Sequence, residues 1–60
     1  MGPKFEVYMD IAGGYRWRLK ARNGEIVAIS ESYVSKYGAT RSAELVRSLA
    51  GIAMIVDITR

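Results

Sequence analysis

The sequence contains neither cysteine nor histidine. Without cysteine there is no disulfide and no thiolate metal site. Without histidine the commonest metal ligand and the commonest general base are gone, and with them every Ser-His or Cys-His nucleophile arrangement. Proline occurs once, at Pro3, and no apolar run approaches the roughly 18 residues that a membrane span needs. Met1-Gly2-Pro3-Lys4 carries no apolar signal core and leads at once into strand-like sequence, so the expected location is cytoplasmic. The chain is short, 60 residues, and reads as a single domain over 1–60. A domain of this size buries only about 60% of its unfolded surface and commonly needs a supplement to its core. With disulfides and the usual metal ligands excluded, association with a second chain is the supplement left open.

What is present is half apolar and mildly basic, with nine Lys or Arg against six Asp or Glu. That balance permits an anionic partner without demanding one. Lys4 to Met9 alternates, with Phe5, Val7 and Met9 set against Glu6 and Tyr8, the period of a half-buried strand. Tyr15 to Ala21 alternates again: Tyr15, Trp17, Leu19 and Ala21 face one way, Arg16, Arg18 and Lys20 the other. Between the two lies Asp10 to Gly14, a loop whose paired glycines allow positive φ. Asn23-Gly24 predicts a two-residue type I′ turn into a third strand, Glu25 to Ser30. Such a turn pairs Arg22 with Glu25, Ala21 with Ile26 and Leu19 with Ala28. Matching apolar faces across the first hairpin sets Met9 opposite Tyr15, Val7 opposite Trp17 and Phe5 opposite Leu19. One sheet face then carries Phe5, Val7, Trp17, Leu19, Ala21, Ile26 and Ala28. The other carries Glu6, Tyr8, the basic row, Val27 and Ile29.

Glu31 to Ala39 reads as a connection. Thr40 is a suitable N-cap for a helix over Arg41 to Ala50, with Leu45, Val46 and Leu49 as its apolar stripe. Gly51 stands where a helix ends in a left-handed residue. Ala53 to Ile58 is the expected last strand. Ala53, Met54, Ile55 and Val56 run without a polar break, as strands covered on both faces do. One helix covers one face of a sheet, so a second copy of the chain is the economical cover for the other. The candidate dimer interface is Val27, Ile29, Met54, Ile55, Val56 and Ile58. The expected architecture is therefore α+β, a three-stranded antiparallel meander, a helix and a C-terminal strand (β-β-β-α-β), completed by dimerisation.

Phe5-Glu6-Val7-Tyr8, Gly14-Tyr15-Arg16-Trp17-Arg18-Leu19-Lys20-Ala21, Asn23-Gly24-Glu25-Ile26-Val27-Ala28, Ser30-Glu31-Ser32-Tyr33 and Ser35-Lys36 together resemble the YegP-like family of small prokaryotic proteins. Asp57 and Thr59 fit its closing pattern. The resemblance implies a β-β-β-α-β unit, present once here and in tandem in some members, and so the pairing of two chains in place of two repeats. It implies no biochemical activity. Ser42-Ala43 departs from the Gly-Ile pair usual in the family's helix, and Gly51-Ile52 from its Pro-containing turn.

No catalytic constellation is visible. The carboxylates are Glu6, Asp10, Glu25, Glu31, Glu44 and Asp57, and no spacing brings two together on an apolar face. Glu25 is more simply the partner of Arg22, and Glu6 of Arg18. So short a chain also has little volume for a pocket of roughly 300 Å³. Gly13-Gly14 precedes a strand, not a helix, and is no phosphate loop. The reading is a non-catalytic module without cofactor or metal. The alternative is a nucleic-acid-binding module using Arg16, Arg18, Lys20 and Arg22, with Tyr8 as a stacking platform. The plainer account of that row is a solvated sheet face paired with Glu6 and Glu25, or stems that cover Val27 and Ile29 in a dimer. Trp17 is expected in the core, its indole N–H requiring a partner. Tyr33 and Tyr37 are expected either to line a shallow groove or to close the core edge.

Overall fold

A computed structural model describes residues 2–60; Met1, part of the stretch read as lacking a signal core, lies outside them. Three strands and one helix follow in the order β1 (Lys4–Met9), β2 (Tyr15–Lys20), β3 (Ile26–Ile29) and α1 (Lys36–Ala50). The strands form one antiparallel sheet in the order β1-β2-β3.

The first hairpin has the expected register, with Phe5 opposite Leu19, Val7 opposite Trp17 and Met9 opposite Tyr15. The second differs from expectation. Ala21 N–H donates to the Glu25 carbonyl and Gly24 N–H to the Ala21 carbonyl. This is a three-residue loop with glycine in its third position at φ +89°. A type I′ turn needs positive φ at Asn23 as well, and no residue other than glycine has it among those described. The Asn23 side chain instead accepts from Glu25 N–H. The loop before β2 has the same build. Asp10 N–H donates to the Gly14 carbonyl and Gly13 N–H to that of Asp10, with Gly13 at φ +91°.

The longer loop shifts the pairing by one residue near the turn. Lys20 stands opposite Ile26 and Leu19 opposite Ala28, so Val27 is an extra residue in β3. A bulge of this kind bends and twists its strand. It returns Ala28 to the helix side, as expected, but moves Ile26 across to the open face beside Lys20. Past β3 the ladder continues with one backbone bond, from Ser30 N–H to the Trp17 carbonyl, and one side-chain bond in place of its mate. The Ser30 hydroxyl accepts from Trp17 N–H at 2.9 Å and donates to the Glu31 carbonyl at 2.7 Å. Tyr15 and Tyr33 then pair through both backbone bonds.

The helix starts a turn earlier than Thr40 predicted. Ser35 is its N-cap, accepting from Gly38 N–H at 3.0 Å. The turn gained carries Ala39, and with it the inward line becomes Ala39, Ser42, Ala43 and Val46, the two alanines buried and Ser42 and Val46 half-buried, at the i, i+3, i+4, i+7 spacing of one helical face. Ala39 is 0% exposed and Ala43 is buried. The two leucines of the expected stripe stay outside, Leu45 at 59% and Leu49 at 51% exposed. Small alanines let the helix sit close, and the bulk between the layers is Trp17, itself buried. Phe5 meets the Trp17 ring edge-on at 5.2 Å. The helix rests on β1 and β2 and not on β3.

Gly51 is not left-handed; at φ −74° it continues the right-handed turn. The expected strand Ala53–Ile58 is not formed within the single chain. Residues 53–60 have no regular structure, and Met54, Ile55, Val56 and Ile58 are between 66% and 100% exposed. A strand needs a neighbour for its ladder, and the chain lays this segment against none of its own strands.

Candidate functional site

Two surfaces carry the residues the sequence singled out. The first is the open sheet face. Alternation along β2 puts Arg16, Arg18 and Lys20 there, and cross-strand pairing adds Glu6, Tyr8, Ile26 and Ile29. The basic row is held by its own carboxylates. Glu6 accepts from Arg18 Nε at 2.8 Å and lies 3.5 Å from Lys20 Nζ and 3.6 Å from Lys4 Nζ. The Arg18 hydrogen bond, aided by Lys20, holds the Glu6 carboxyl below its ordinary value. Arg18 also lies over the Tyr8 ring, 4.8 Å from its centre, a cation–π contact that occupies the face a stacked base would use.

Arg16 is drawn to the end of the sheet. Its Nε donates to Asp10 Oδ2 at 3.0 Å and its Nη1 to the Ser30 carbonyl at 3.0 Å. Asp10 is the hub of its loop. Its Oδ1 accepts from Ala12 and Gly14 N–H, and its Oδ2 also accepts from Ser32 Oγ. The Arg16 bond, with those of Gly14 and Ser32, holds the Asp10 carboxyl below its ordinary value. A Cβ at position 14 would run into Ser32 Oγ and come within 3.3 Å of Asp10 Oδ2, so glycine there keeps the cluster closed. Neither Asp10 nor Ser30 was singled out by spacing; an Asp three residues before the Gly-Gly pair of a hairpin loop was the one available signal. Arg22 is in the β2–β3 loop, and the expected pairing with Glu25 is replaced by Ala21 opposite Glu25. The row the sequence set out as three cations on one face, with Arg22 at the end of the strand, is two arginines engaged with carboxylates and a lysine sharing one of them, with Arg22 in the loop beyond.

The second surface is apolar. Val27 and Ile29 are more than half exposed, and so are Met9, Leu45 and Leu49. The arm of Ile52 to Ile58 adds an apolar segment that is largely exposed. Beneath the flank of α1 that overhangs β1 runs a groove of about 170 Å³, lined by Phe5, Val7, Thr40, Ala43, Glu44 and Arg47. A larger hollow of about 330 Å³ lies on the outward face of α1 among Arg41, Glu44, Leu45, Arg47 and Ser48. It exceeds the volume expected of so short a chain, yet it is a dish on a helix surface and reaches no core side chain.

Between the surfaces is a polar knot. Ser42 Oγ receives both the Trp17 indole N–H at 2.9 Å and the Tyr33 hydroxyl at 2.8 Å. Trp17 is in the core as expected, and Tyr33 closes the core edge with its hydroxyl turned inward; Tyr37 is exposed. Ser42 is one of the two helix positions that depart from the YegP-like pattern. Among the described residues no group of three or more Asp or Glu is placed to hold a metal ion. No described helix is long and apolar enough to cross a membrane.

These features define a class first: small α+β domains of meander and helix whose sheet-face charges pair with one another and which leave large apolar side chains exposed. The family is narrower. Residues 10–57 match a domain of unknown function, DUF1508, and the chain belongs to that family, in agreement with the YegP-like resemblance. A UPF0339 protein of Treponema denticola is 45% identical over 58 residues, 97% of this chain and 100% of that one. A solution structure of a protein from Haloferax volcanii superposes with a TM-score of 0.83 at 40% identity, over 93% of this chain and 95% of that one. A UPF0339 protein of Stutzerimonas stutzeri is 44% identical over 50 residues, which are 83% of this chain but 45% of that protein. The family is one of unknown function, and its names point to no catalysis.

Proposed function

We propose that the chain is a non-catalytic interaction module that works as a homodimer, its C-terminal arm forming the missing strand against a second copy. The observation that carries this is the arm: an apolar segment that its own chain leaves uncovered. The area involved is of the right size. A compact protein of 6.7 kDa exposes about 3900 Å², whereas this chain exposes 5147 Å². The surplus, roughly 1200 Å², exceeds the about 800 Å² that each partner buries in a standard interface. The radius of gyration says the same, 13.0 Å against about 10 Å for a compact chain of this length.

A second copy is favoured over a foreign partner because the chain supplies both halves of the contact. It has free sheet edges and exposed Val27 and Ile29 on one part, and a strand without a neighbour on another. Exchange about a two-fold axis satisfies both at once. The Stutzerimonas relative fits this reading, since one such unit fills a little under half of it and leaves room for a second on the same chain.

Light scattering on the eluting protein tests the proposal. The expected mass is twice that of the chain at micromolar concentration, shifting toward a single chain in Val56→Asp. A folded monomer, or an unchanged mass in a folded Val56→Asp variant, overturns it.

A further inference from the structure

We propose that the open face of the sheet docks an acidic amphipathic helix of another protein, its carboxylates on Arg18 and Lys20 of β2 and its aliphatic side chains on Ile26 and Ile29 of β3. This goes beyond the homodimer reading and does not rest on it. A strand added to the sheet lies in its plane and satisfies an edge, whereas the surface in question is a face.

The face has two lanes. Ile29 stands opposite Arg18 and Ile26 opposite Lys20, so each cation has an aliphatic neighbour one strand away, about 5 Å between Cβ atoms. The Val27 bulge makes this arrangement. Residues three apart on a regular strand point to opposite faces, and the extra residue brings Ile26 and Ile29 to the same one. Both are large and open to water, Ile26 at 46% and Ile29 at 55% exposed.

The charge beside them is unbalanced. Glu6 is shared among Arg18, Lys20 and Lys4 at 2.8, 3.5 and 3.6 Å. Arg18 hydrogen-bonds it, while the two lysines stand beyond good hydrogen-bond distance and can turn to a second carboxylate. With Arg16 held by Asp10, four cations on this side meet two carboxylates. The occupant is therefore anionic. A second copy laid face to face brings the same surplus, and like charges across an interface are costly.

The aliphatic lane and Tyr8 decide the kind of anion. Nucleic acid has phosphates for the cations but nothing for Ile26 and Ile29. Its bases would stack on an open aromatic ring, and the Tyr8 ring lies against Arg18 at 4.8 Å. A protein segment supplies carboxylates and aliphatic groups together. A sheet face offers it side chains but no free backbone groups, so the segment must satisfy its own backbone, as a helix does. The spacing agrees. The Arg18–Ile29 and Lys20–Ile26 pairs are two residues apart on β2, about 7 Å, near the roughly 5–6 Å between side chains one helical turn apart. The sheet then has a helix on each face, α1 on one and the partner's on the other.

The probe is a synthetic helix of about 15 residues, with a leucine stripe flanked on one side by glutamates, titrated into the isotope-labelled full chain. The expected result is chemical-shift changes centred on Ile26, Ile29 and Lys20. Lys20→Glu and Ile29→Asp are each expected to weaken binding at least about tenfold, with Trp17 fluorescence reporting that the variants are folded. Replacing the peptide's glutamates by glutamine is expected to cost as much and leaves the protein untouched. No shift at millimolar peptide, shifts confined to other residues, or equal binding of the glutamine peptide or of one with scrambled order overturns the assignment. So does an oligonucleotide, single-stranded or duplex, that binds more tightly than the peptide and keeps its affinity in Ile29→Asp.

Discussion

The indole N–H of Trp17 donates to the hydroxyl of Ser42, 2.9 Å away and 25 residues along the chain. It ties the central strand to the helix at the buried tryptophan that fills the space between them. The same oxygen takes the Tyr33 hydroxyl, so one serine supports a residue from each of two other segments. Among the described residues no buried side-chain polar atom lacks a partner, and Ser42 is the reason for two of those pairings.

Ser42→Ala therefore leaves two donors without an acceptor, one on a side chain only 6% exposed. The helix itself tolerates alanine better than serine, so a loss of stability reports the knot. The expected loss is about 1–3 kcal/mol, read from urea unfolding followed by Trp17 fluorescence. An unchanged midpoint would show that the indole finds water or another acceptor.

Ala39 is the tightest point of the helix–sheet contact, with no exposed surface. Ala39→Leu adds volume where none is free, and overpacking of this kind costs about 1–3 kcal/mol. Leu45→Ala, on the outward flank, removes a larger side chain yet is expected to cost less in the isolated chain. Thermal unfolding of the two variants side by side gives the ranking, which is the reverse of the one implied by a leucine stripe.

Gly24 tests backbone conformation alone. Its φ is +89° and a Cβ there would touch nothing within 4 Å, so Gly24→Ala carries conformational strain without a clash. The expected cost is about 1 kcal/mol or more. Gly24→Asn is expected to recover part of it, since asparagine enters the left-handed region more readily. Equal stability of all three in chemical denaturation would contradict the three-residue loop.

Asp10 links stability to acid. Its carboxyl is held below its ordinary value of 3.8, first by the Arg16 hydrogen bond. A group whose folded pKa is depressed stabilises the fold above its unfolded pKa and loses that contribution as pH falls through the folded value. Stability is therefore expected to drop as pH is taken below about 4. Asp10→Asn is expected to lower stability near neutral pH and to flatten part of that drop, the remainder belonging to Glu6 and Asp57, which are depressed in the same sense. Urea midpoints across the acid range check the slope; an identical slope in Asp10→Asn would remove Asp10 from the account.

β1, β2 and their register are legible in the residues alone. Phe5, Val7 and Met9 on one strand and Tyr15, Trp17 and Leu19 on the next can share a face in only one alignment, because a one-residue slip turns every side chain over. So are the core position of Trp17 and the meeting of Glu6 with Arg18, both consequences of the same alternation. Packing takes over where local signals compete. Ser35 and Thr40 are both good caps, and the helix takes the earlier one, whose first turn brings Ala39 into the core and sets Gly38 against the Tyr33 ring. Ala39 and Ala43 are buried in place of Leu45 and Leu49 because Trp17 already fills the layer. The Val27 bulge follows from a loop one residue longer than Asn-Gly alone suggests, and Ser30 replaces a backbone ladder bond with its hydroxyl, a substitution that leaves no periodic trace. The arm shows the division most plainly. Its apolar run is written in the sequence, but hydrogen bonds of a strand are made with a neighbour, and the single chain does not provide one.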